Sequence, residues 1–578
     1  CADHAPIIDS YYDKVMECVS QAAFSTIPVA HCRSGGEHAV PGWSDYAEDK
    51  HNAARAAYLD WVWSGRPRSG PIFVLMQRTR ANFKLALRYC RQHEAQCKAD
   101  ACARSLEGKD PVKFWRSVHR LSNSKATKYA STVGNATGDA DIAEMWMTHF
   151  QQLYNSIPQD DSSLFHNQVQ EQNAHSVPVI SVADLYDALH KQKKGKSAGP
   201  DGISMEAFLY AGPRLVVHLT LLFNLFLIHC HLPPAFMMSV IVPLVKNKGG
   251  DLTDVDNYRA VAISNAVTKI LESVLFCHVN NCLAQTDMQF GFKEAHSTSL
   301  CTYAVKETVE YYTTRGSHVF ACFVDLSKAF DKVNYWKMFS LLLADGVHNG
   351  IVSLLAYWYS QQLISVRWRS VTSSAFTVGN GTRQGGILSP CLFNRYIYDL
   401  LLLVSRQKVG CNIGGVFANV FAYDDDIVLL APSWQALQAL LRVLENGILA
   451  IDMSCNTRKT VCMVFSPRQK RKVVSPHFPP LRLFGTDLLY VDNFKYLGHI
   501  IDNKLNDDAD IQREIRNLFT RANILTRRFS LCSQSVKVAL FKSYCISLYG
   551  CALWRNHTRV SSLSKLRSCY HRCVKTFF

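Results

Sequence analysis

Two acidic segments have the residue types and setting to do chemistry, and their aspartates lie 100 residues apart in the chain. The first reads Phe323-Val-Asp325-Leu-Ser-Lys-Ala-Phe330-Asp331, the second Phe421-Ala-Tyr423-Asp424-Asp425-Asp426-Ile427-Val-Leu-Leu. Each places carboxylates at the end of an apolar run. Two unit charges ~4 Å apart repel by about 4 kcal/mol at an effective dielectric near 20, so close, unpaired carboxylates are costly. A bound divalent cation removes that cost and creates a catalyst. Two metal ions ~3.5–4 Å apart stabilise both the attacking and the leaving oxygen of an in-line phosphoryl displacement. On this reading Asp325 from one strand and Asp425 from an adjacent turn bridge both ions, and the oxygen-only ligand set suits magnesium. The alternative is an acidic hairpin facing solvent; an Asp closing a second buried strand weighs against it.

Elements must bring these ends together, and between about residues 235 and 501 short apolar strands alternate with helices. Residues 319–324 predict a buried strand ending at Asp325. Residues 416–423 and 427–431 predict two strands around the acidic turn, and 481–484, 489–491 and 496–501 a later strand cluster. Helical spacing predicts helices over 268–283, 335–343, 388–404 and 433–452. Residues 1–175 read as helical and basic, with helices over 53–63 and 76–97. The polar stretch 155–176 predicts a linker. A new region opens at 180–189, followed by a Lys- and Gly-rich loop over 191–202 with a Gly-Pro-Asp-Gly turn. The last 70 or so residues read as helical. No internal repeat is found.

Composition narrows the class. The chain has 578 residues, 48% hydrophobic and 19% charged, a globular profile with room for two to four domains. Its net charge of +16 favours a polyanionic partner. The charge is uneven: residues 512–578 carry 13 Lys/Arg against one acid, and 60–125 carry 14 against five. Solvated helix faces would account for either segment equally well. The 20 cysteines are scattered, with no C-x-x-C. Cys569, His571 and Cys573 offer three metal ligands without a fourth, so buried or free thiols are expected, in a reduced intracellular compartment. No secretion signal opens the chain. The longest apolar stretch, 215–230, contains His218, Asn224 and His229 and falls short of the ~18–20 residues that span a bilayer. A buried helix is expected there, and no membrane as partner. The chain begins at Cys1, which suggests a piece of something longer.

The order of segments resembles the reverse transcriptase domain of non-LTR (LINE-type) retrotransposons across roughly residues 180–550. Lys196-Ser-Ala-Gly199-Pro200-Asp201-Gly202-Ile203 resembles the family's opening loop, Asn257-Tyr258-Arg259 its fingers motif, and Gln289-Phe-Gly291-Phe the next block. The Asp325 segment resembles motif A, and Gly381-Thr-Arg383-Gln384-Gly385-Gly386-Ile-Leu-Ser389-Pro390 motif B. Tyr423-Asp-Asp-Asp426 resembles the Tyr-x-Asp-Asp of motif C, Asn456-Thr-Arg-Lys459-Thr460 motif D, and Phe494-Lys-Tyr496-Leu-Gly498 motif E, the primer grip. Any one is weak; eight in this order are specific.

The resemblance implies an α+β right-hand polymerase of fingers, palm and thumb with a helical N-terminal extension. Residues 1–175 would form the basic linker and extension, 176–320 the fingers and start of the palm, 225–501 the reverse transcriptase domain, and 502–578 a basic helical thumb with a truncated end. It implies RNA-directed DNA polymerisation by target-primed reverse transcription, with an RNA template, a DNA primer at the target, dNTPs and two Mg²⁺ ions, Mn²⁺ being an alternative. Location would be cytoplasm and nucleus. Asp325, Asp425 and Asp426 match the catalytic carboxylates, and the Leu326 carbonyl a further metal ligand. Phe330 matches the ring that excludes a 2′-hydroxyl. Arg259 and Lys246 match residues near the triphosphate, Gln384 and Gly385 the loop along nucleotide and template, and Lys459 a group that neutralises pyrophosphate. Phe494, Tyr496, Leu497 and Gly498 match the primer grip. The family's endonuclease usually precedes this region and is expected upstream; residues 1–175 resemble the linker instead.

Two departures stand out. Ala260 follows Arg259 where many relatives have Pro, which should cost loop rigidity. Asp424 stands where a small residue is usual; it should repel phosphates and reduce activity, and it lets the Asp pair be read as Asp424 and Asp425. The strand at 427–430 favours Asp425 and Asp426. Two other readings remain open at this point. One is an RNA-directed RNA polymerase, in which Asp331 reads a ribose hydroxyl. The other is an inactive or co-opted relic that only binds RNA.

Overall fold

The apolar run before Asp325 forms the strand Val319–Asp325, buried up to its last residue. The computed structural model, which describes residues 2–26, 40, 42–122, 130–158, 160–171, 177–467, 478–554 and 559–578, places this strand at the centre of a five-stranded sheet. Asp426–Ala431 pairs antiparallel with one side and Val461–Phe465 with the other. Val420–Tyr423 lies beyond the first, and Leu489–Tyr490 runs parallel to the second at the far edge. Helices Thr298–Thr314 and Trp434–Ala450 pack on the central strand. A strand covered this way has no polar face, so its sequence shows no alternation.

A second sheet holds the loops that approach the acidic residues. Met238–Val245 pairs antiparallel with the edge strand Tyr258–Ser264 and parallel with Leu363–Trp368. Helix Asp139–Leu153 packs on Leu363–Trp368. Its Trp146 stacks on Phe150 at 5.3 Å and meets Tyr258 edge-on at 5.1 Å, filling a core with Ile142, Ile364 and Trp368. The expected buried helix at 215–230 is Pro213–His229, which turns Leu219, Leu222, Phe223 and Phe226 inward. Among the described residues no helix is long and apolar enough to cross a membrane.

The chain divides into two compact units that do not follow chain order. One comprises residues 1–29, 129–497 and 502–505; the other comprises 30–128, 498–501 and 506–578. The second unit is helical, and its core joins Phe114 and Val118 to Leu518, Leu525, Phe541 and Cys573. Cys569 and Cys573 point into that core as free thiols, while His571 is exposed. A helix puts residues two apart on different faces, so the three do not converge.

Five expectations change. The strand expected over 416–423 is split: Val416–Phe417 pairs with Asn412–Ile413 in a separate two-stranded sheet, and only Val420–Tyr423 joins the central sheet. The helix expected over 76–97 is two, Pro71–Gln92 and Glu94–Glu107, broken at His93, whose backbone leaves the helical region. The expected linker over 155–176 contains the helix Ser162–Glu171, anchored by Phe165 against Trp336 and Phe339. The strand expected over 496–501 is interrupted: Asn493–Tyr496 and His499–Asp502 are separated by Leu497 and Gly498, both at positive φ. Ala260 lies within the edge strand Tyr258–Ser264, opposite Pro243, not in a loop. Edge strands tolerate Pro, so its absence costs no loop rigidity.

One buried ion pair fixes the loop before helix Ser389–Ser405. Glu272, on helix Ala266–Asn280, accepts from Arg383 at 2.6 Å and from the Ile387 N–H at 2.8 Å. Both charged residues are buried, and the Arg383 guanidinium lies 4.6 Å above the Trp358 ring. Removing one partner of such a pair typically costs about 3–5 kcal/mol, whereas replacing both by apolar groups is often neutral. Thermal unfolding should therefore rank Glu272→Met below the double variant Glu272→Met/Arg383→Met; the reverse order would refute the pair's structural role.

Candidate active site

Asp325 and Asp426 are register partners on the antiparallel strands Val319–Asp325 and Asp426–Ala431, and such partners have Cα atoms ~4.5–5.5 Å apart. Tyr423 pairs with Asp426, so Asp424 and Asp425 form a two-residue turn. Asp424 takes φ 60°. A tight hairpin needs positive φ there, which Asp accepts more readily than most residues. Gln289 clamps the turn. Its Oε1 accepts from the Asp424 N–H at 2.9 Å and the Gly291 N–H at 2.8 Å, and its Nε2 donates to the Asp424 carbonyl at 3.1 Å. A Cβ at Gly291 would stand 2.4 Å from the Asp424 nitrogen, so only glycine allows this approach.

The four carboxyl groups perturb one another. Burial, then Asp425 and Asp426, push Asp424 up to about 8. Burial, then Asp425 and Asp325, push Asp426 up to about 7. Asp425 is raised by burial and Asp325, against Arg259. Asp325 is raised by burial, against Lys459 and Lys246. Asp424 Oδ1 is buried without a hydrogen-bond partner. This crowding of negative groups fits a divalent cation. Among the described residues no three His, Cys, Asp or Glu side chains already form a metal cluster. Magnesium needs none, since it binds through one or two carboxylates and keeps waters or substrate phosphates as its other ligands.

Neighbouring loops are tied to the same strand end. The Asn456 N–H donates to the Asp325 carbonyl at 2.8 Å, the Ser327 N–H to the Ser454 carbonyl at 2.8 Å, and the Asp325 N–H to Thr460 Oγ1 at 3.3 Å. These bonds flank Leu326, which bridges Cys455. Lys459 sits in this loop and its charge reaches Asp325. Lys246 follows the strand Met238–Val245 and donates through Nζ to the Asp256 carbonyl at 2.9 Å. The charges of Lys459, Arg259 and Lys328 also act on it. Exposed Arg259 sits opposite Leu244 on the edge strand.

The glycine-rich loop and the aromatic residues have defined supports. The Gln384 carbonyl accepts from the Ala262 N–H at 2.9 Å. Gly385 has φ 114°, and a Cβ there would stand 3.0 Å from the Ala262 oxygen. Half-buried Phe330 stacks on Phe393 at 4.4 Å and meets Phe292 at 6.3 Å. Phe494 and Tyr496 pack on Phe323 at 4.9 and 5.4 Å, and the Tyr496 hydroxyl lies 3.3 Å from Cys301 Sγ. Leu497 and Gly498 form the turn that follows.

Sequence reasoning missed several supports. Gln289 appeared only as part of a block, and its turn clamp needs a contact across 135 residues. Lys328, three residues after Asp325, is a further cation beside Lys246. Tyr154, assigned to a linker, bonds Asp331. No local pattern marks Tyr154; the charge of Lys328 was visible but had no assigned neighbour.

The raised carboxyl groups set a pH dependence. Their folded values lie above the unfolded ones, so their contribution to stability is full below about pH 4 and is lost as pH rises through about 7–8. A cation that pairs with the ionised groups should offset this loss. Mg²⁺ at tenfold its Kd would stabilise by about 1.4 kcal/mol. The melting temperature should rise with Mg²⁺ more at pH 8 than at pH 6, and the rise should vanish in Asp425→Asn. An Mg²⁺ effect of equal size in that variant would refute the assignment.

Comparison with known proteins agrees with this geometry. Residues 245–501 match a family model described as reverse transcriptase (RNA-dependent DNA polymerase). The chain is 23% identical over 456 residues to the probable RNA-directed DNA polymerase from transposon BS of Drosophila melanogaster, covering 73% of this chain and 48% of that protein. It is 22% identical over 470 residues to the RNA-directed DNA polymerase from mobile element jockey of the same fly, covering 76% and 50%. It is 26% identical over 317 residues to the Pol polyprotein of the fly's type-2 retrotransposable element R2DM, covering 52% and 28%. The chain thus spans at most half the length of these relatives. Residues 245–501 are similar to a reverse transcriptase domain, and these relatives are polymerases and Pol polyproteins of transposable elements.

Proposed function

We propose that this chain is an RNA-directed DNA polymerase that extends a DNA primer 3′-hydroxyl on an RNA template, in the manner of target-primed reverse transcription. One observation carries the reading: Asp325 stands in register with Asp426, beside the turn formed by Asp424 and Asp425. Asp325, Asp425, Asp426 and the Leu326 carbonyl would hold two Mg²⁺ ions, which supply charge stabilisation at the attacking and leaving oxygens. Lys246, Arg259 and Lys459 form a cationic rim suited to a triphosphate. Gln384 and Gly385 line the nucleotide and template, and Phe330 closes the space beside the sugar C2′. Phe494, Tyr496, Leu497 and Gly498 brace the primer. In hand terms the sheet around Asp325 is the palm, the sheet around Arg259 belongs to the fingers, and the basic C-terminal helices form the thumb. An endonuclease supplied upstream in the intact protein would provide the nick.

Asp331 weighs against the RNA polymerase reading. It is buried and bonded to Tyr154 and Gln384, so it is not available to read a ribose hydroxyl. Asp424 favours reduced activity, because its buried carboxyl would face the primer phosphates once ionised.

Extension of a DNA primer on RNA, with dNTPs and Mg²⁺, tests the proposal. Asp325→Asn and Asp425→Asn should each lose at least ~100-fold, the equivalent of about 3 kcal/mol of barrier. Phe330→Val should raise ribonucleotide incorporation relative to deoxynucleotide. Extension unchanged by either aspartate substitution would end the proposal. For Asp424, whose carboxyl is pushed up to about 8, relief of a repulsion on the order of 1–4 kcal/mol should make Asp424→Ala faster than the natural chain above about pH 8, where Asp424 is ionised; equal rates there would show that the extra carboxylate carries no handicap.

A further inference from the structure

Tyr154 directly follows helix Asp139–Leu153 and lies far upstream of the matched residues 245–501, yet it reaches Asp331 and the segment leading to Gln384. Its hydroxyl donates to Asp331 Oδ1 at 3.0 Å, and both residues are about 95% buried, at 6% and 5% exposure. Gln384 Nε2 donates to the two oxygens of the same carboxylate at 3.1 and 3.4 Å. An ionised carboxylate can only accept, so the nitrogen of the Gln384 amide must face it and the amide oxygen must turn away. The backbone repeats the connection. The Tyr154 carbonyl accepts from the N–H groups of Gly379 and Asn380 at 2.9 and 3.0 Å, and the Asp331 carbonyl accepts from Asn380 Nδ2 at 2.7 Å. Three segments distant in sequence are thereby locked around one buried acid.

We propose that Tyr154 and Asp331 are positioning residues for nucleotide addition, holding the Gln384 amide with its oxygen outward to accept from a donor group of the incoming nucleotide. This rests on the polymerase reading and on Gln384 lying along the nucleotide. The helix preceding the matched domain is then part of substrate binding. The device has a built-in dependence on proton concentration. Burial pushes Asp331 up to about 6, while the Tyr154 and Gln384 hydrogen bonds and the charges of Lys328 and Lys246 hold it down. A protonated Asp331 carries a donor of its own and no longer fixes the amide. Loss of the Tyr154 hydroxyl therefore moves this protonation to higher pH.

The test measures kcat and the KM for dNTP of the full chain between pH 5 and 8.5. KM should rise in the natural chain as pH falls through about 6. In Tyr154→Phe, which keeps the ring, KM at pH 7 should rise roughly three- to tenfold, as for loss of one hydrogen bond. Its kcat should stay within about twofold, and its acidic limb should move to higher pH. Asp331→Asn should raise KM and remove the limb. A loss confined to kcat, or a limb unmoved by Tyr154→Phe and persisting in Asp331→Asn, would overturn the proposal. Thermal unfolding gives a readout that needs no catalysis. A carboxyl raised above its unfolded value loses its stabilising contribution as pH rises through about 6, so the natural chain should lose melting temperature relative to Asp331→Asn between pH 5 and 7. A flat difference would sink the buried carboxylate itself. Absence of primer extension by the natural chain, with that difference present, would instead sink the polymerase reading.

Discussion

The molecule is organised around the cost of holding Asp325, Asp424, Asp425 and Asp426 together at the end of a buried sheet. Burial raises all four, so the arrangement opposes folding and must be imposed by its surroundings. The imposing elements are apolar and hydrogen-bonded. Val319–Val324 and Ile427–Ala431 are almost wholly buried, and burial of such side chains contributes ~1.5–3 kcal/mol each. The Gln289 clamp then fixes the turn through its backbone, leaving the acidic side chains free for ligands. Strain of this kind persists where neighbours over-determine the geometry.

A second group of buried charges is handled differently. Around the glycine-rich loop, Arg383 is neutralised by Glu272, and Asp331 is satisfied by neutral donors, Tyr154 and Gln384. The contrast is physical. Charges left mutually repelling attract a cation, whereas charges already paired or hydrogen-bonded fix a loop. The first set carries chemistry, and the second keeps backbone and amide groups where that chemistry needs them. Burial alone would not separate the two sets; the partner of each carboxyl group does.

Much of this was legible in the sequence because it depends on local pattern. The strand before Asp325, the two strands around the acidic turn and the helix Trp434–Ala450 follow from apolar runs and helical spacing. That Asp325 would meet the acidic turn was expected from two strand ends carrying acids; its register with Asp426 emerged from the structure. What escaped depends on contacts between distant segments. Phe165 recruits an apparently polar linker as a helix because it finds Trp336 and Phe339. His93 breaks a helix whose apolar spacing continues past it. The reversal after Tyr496 needs positive φ at Leu497 as well as Gly498, and a leucine gives no warning of that.

The family match begins at residue 245, inside the fold, although similarity to single relatives extends over as much as 76% of the chain. That residue ends the strand Met238–Val245, whose register with Tyr258–Ser264 and Leu363–Trp368 is set mainly by residues before it. Trp146 and Phe150 from a still earlier helix fill the core against that sheet. The compact unit accordingly reaches back to residue 129 and includes residues 1–29. Residues that touch reacting groups are limited to a few chemical types, so their pattern stays readable. A packing position asks only for suitable volume and polarity, and many substitutions meet that demand at a cost under about 1.5 kcal/mol. The physical unit is therefore larger than the span that the family model matches, and the part before that span supplies Tyr154.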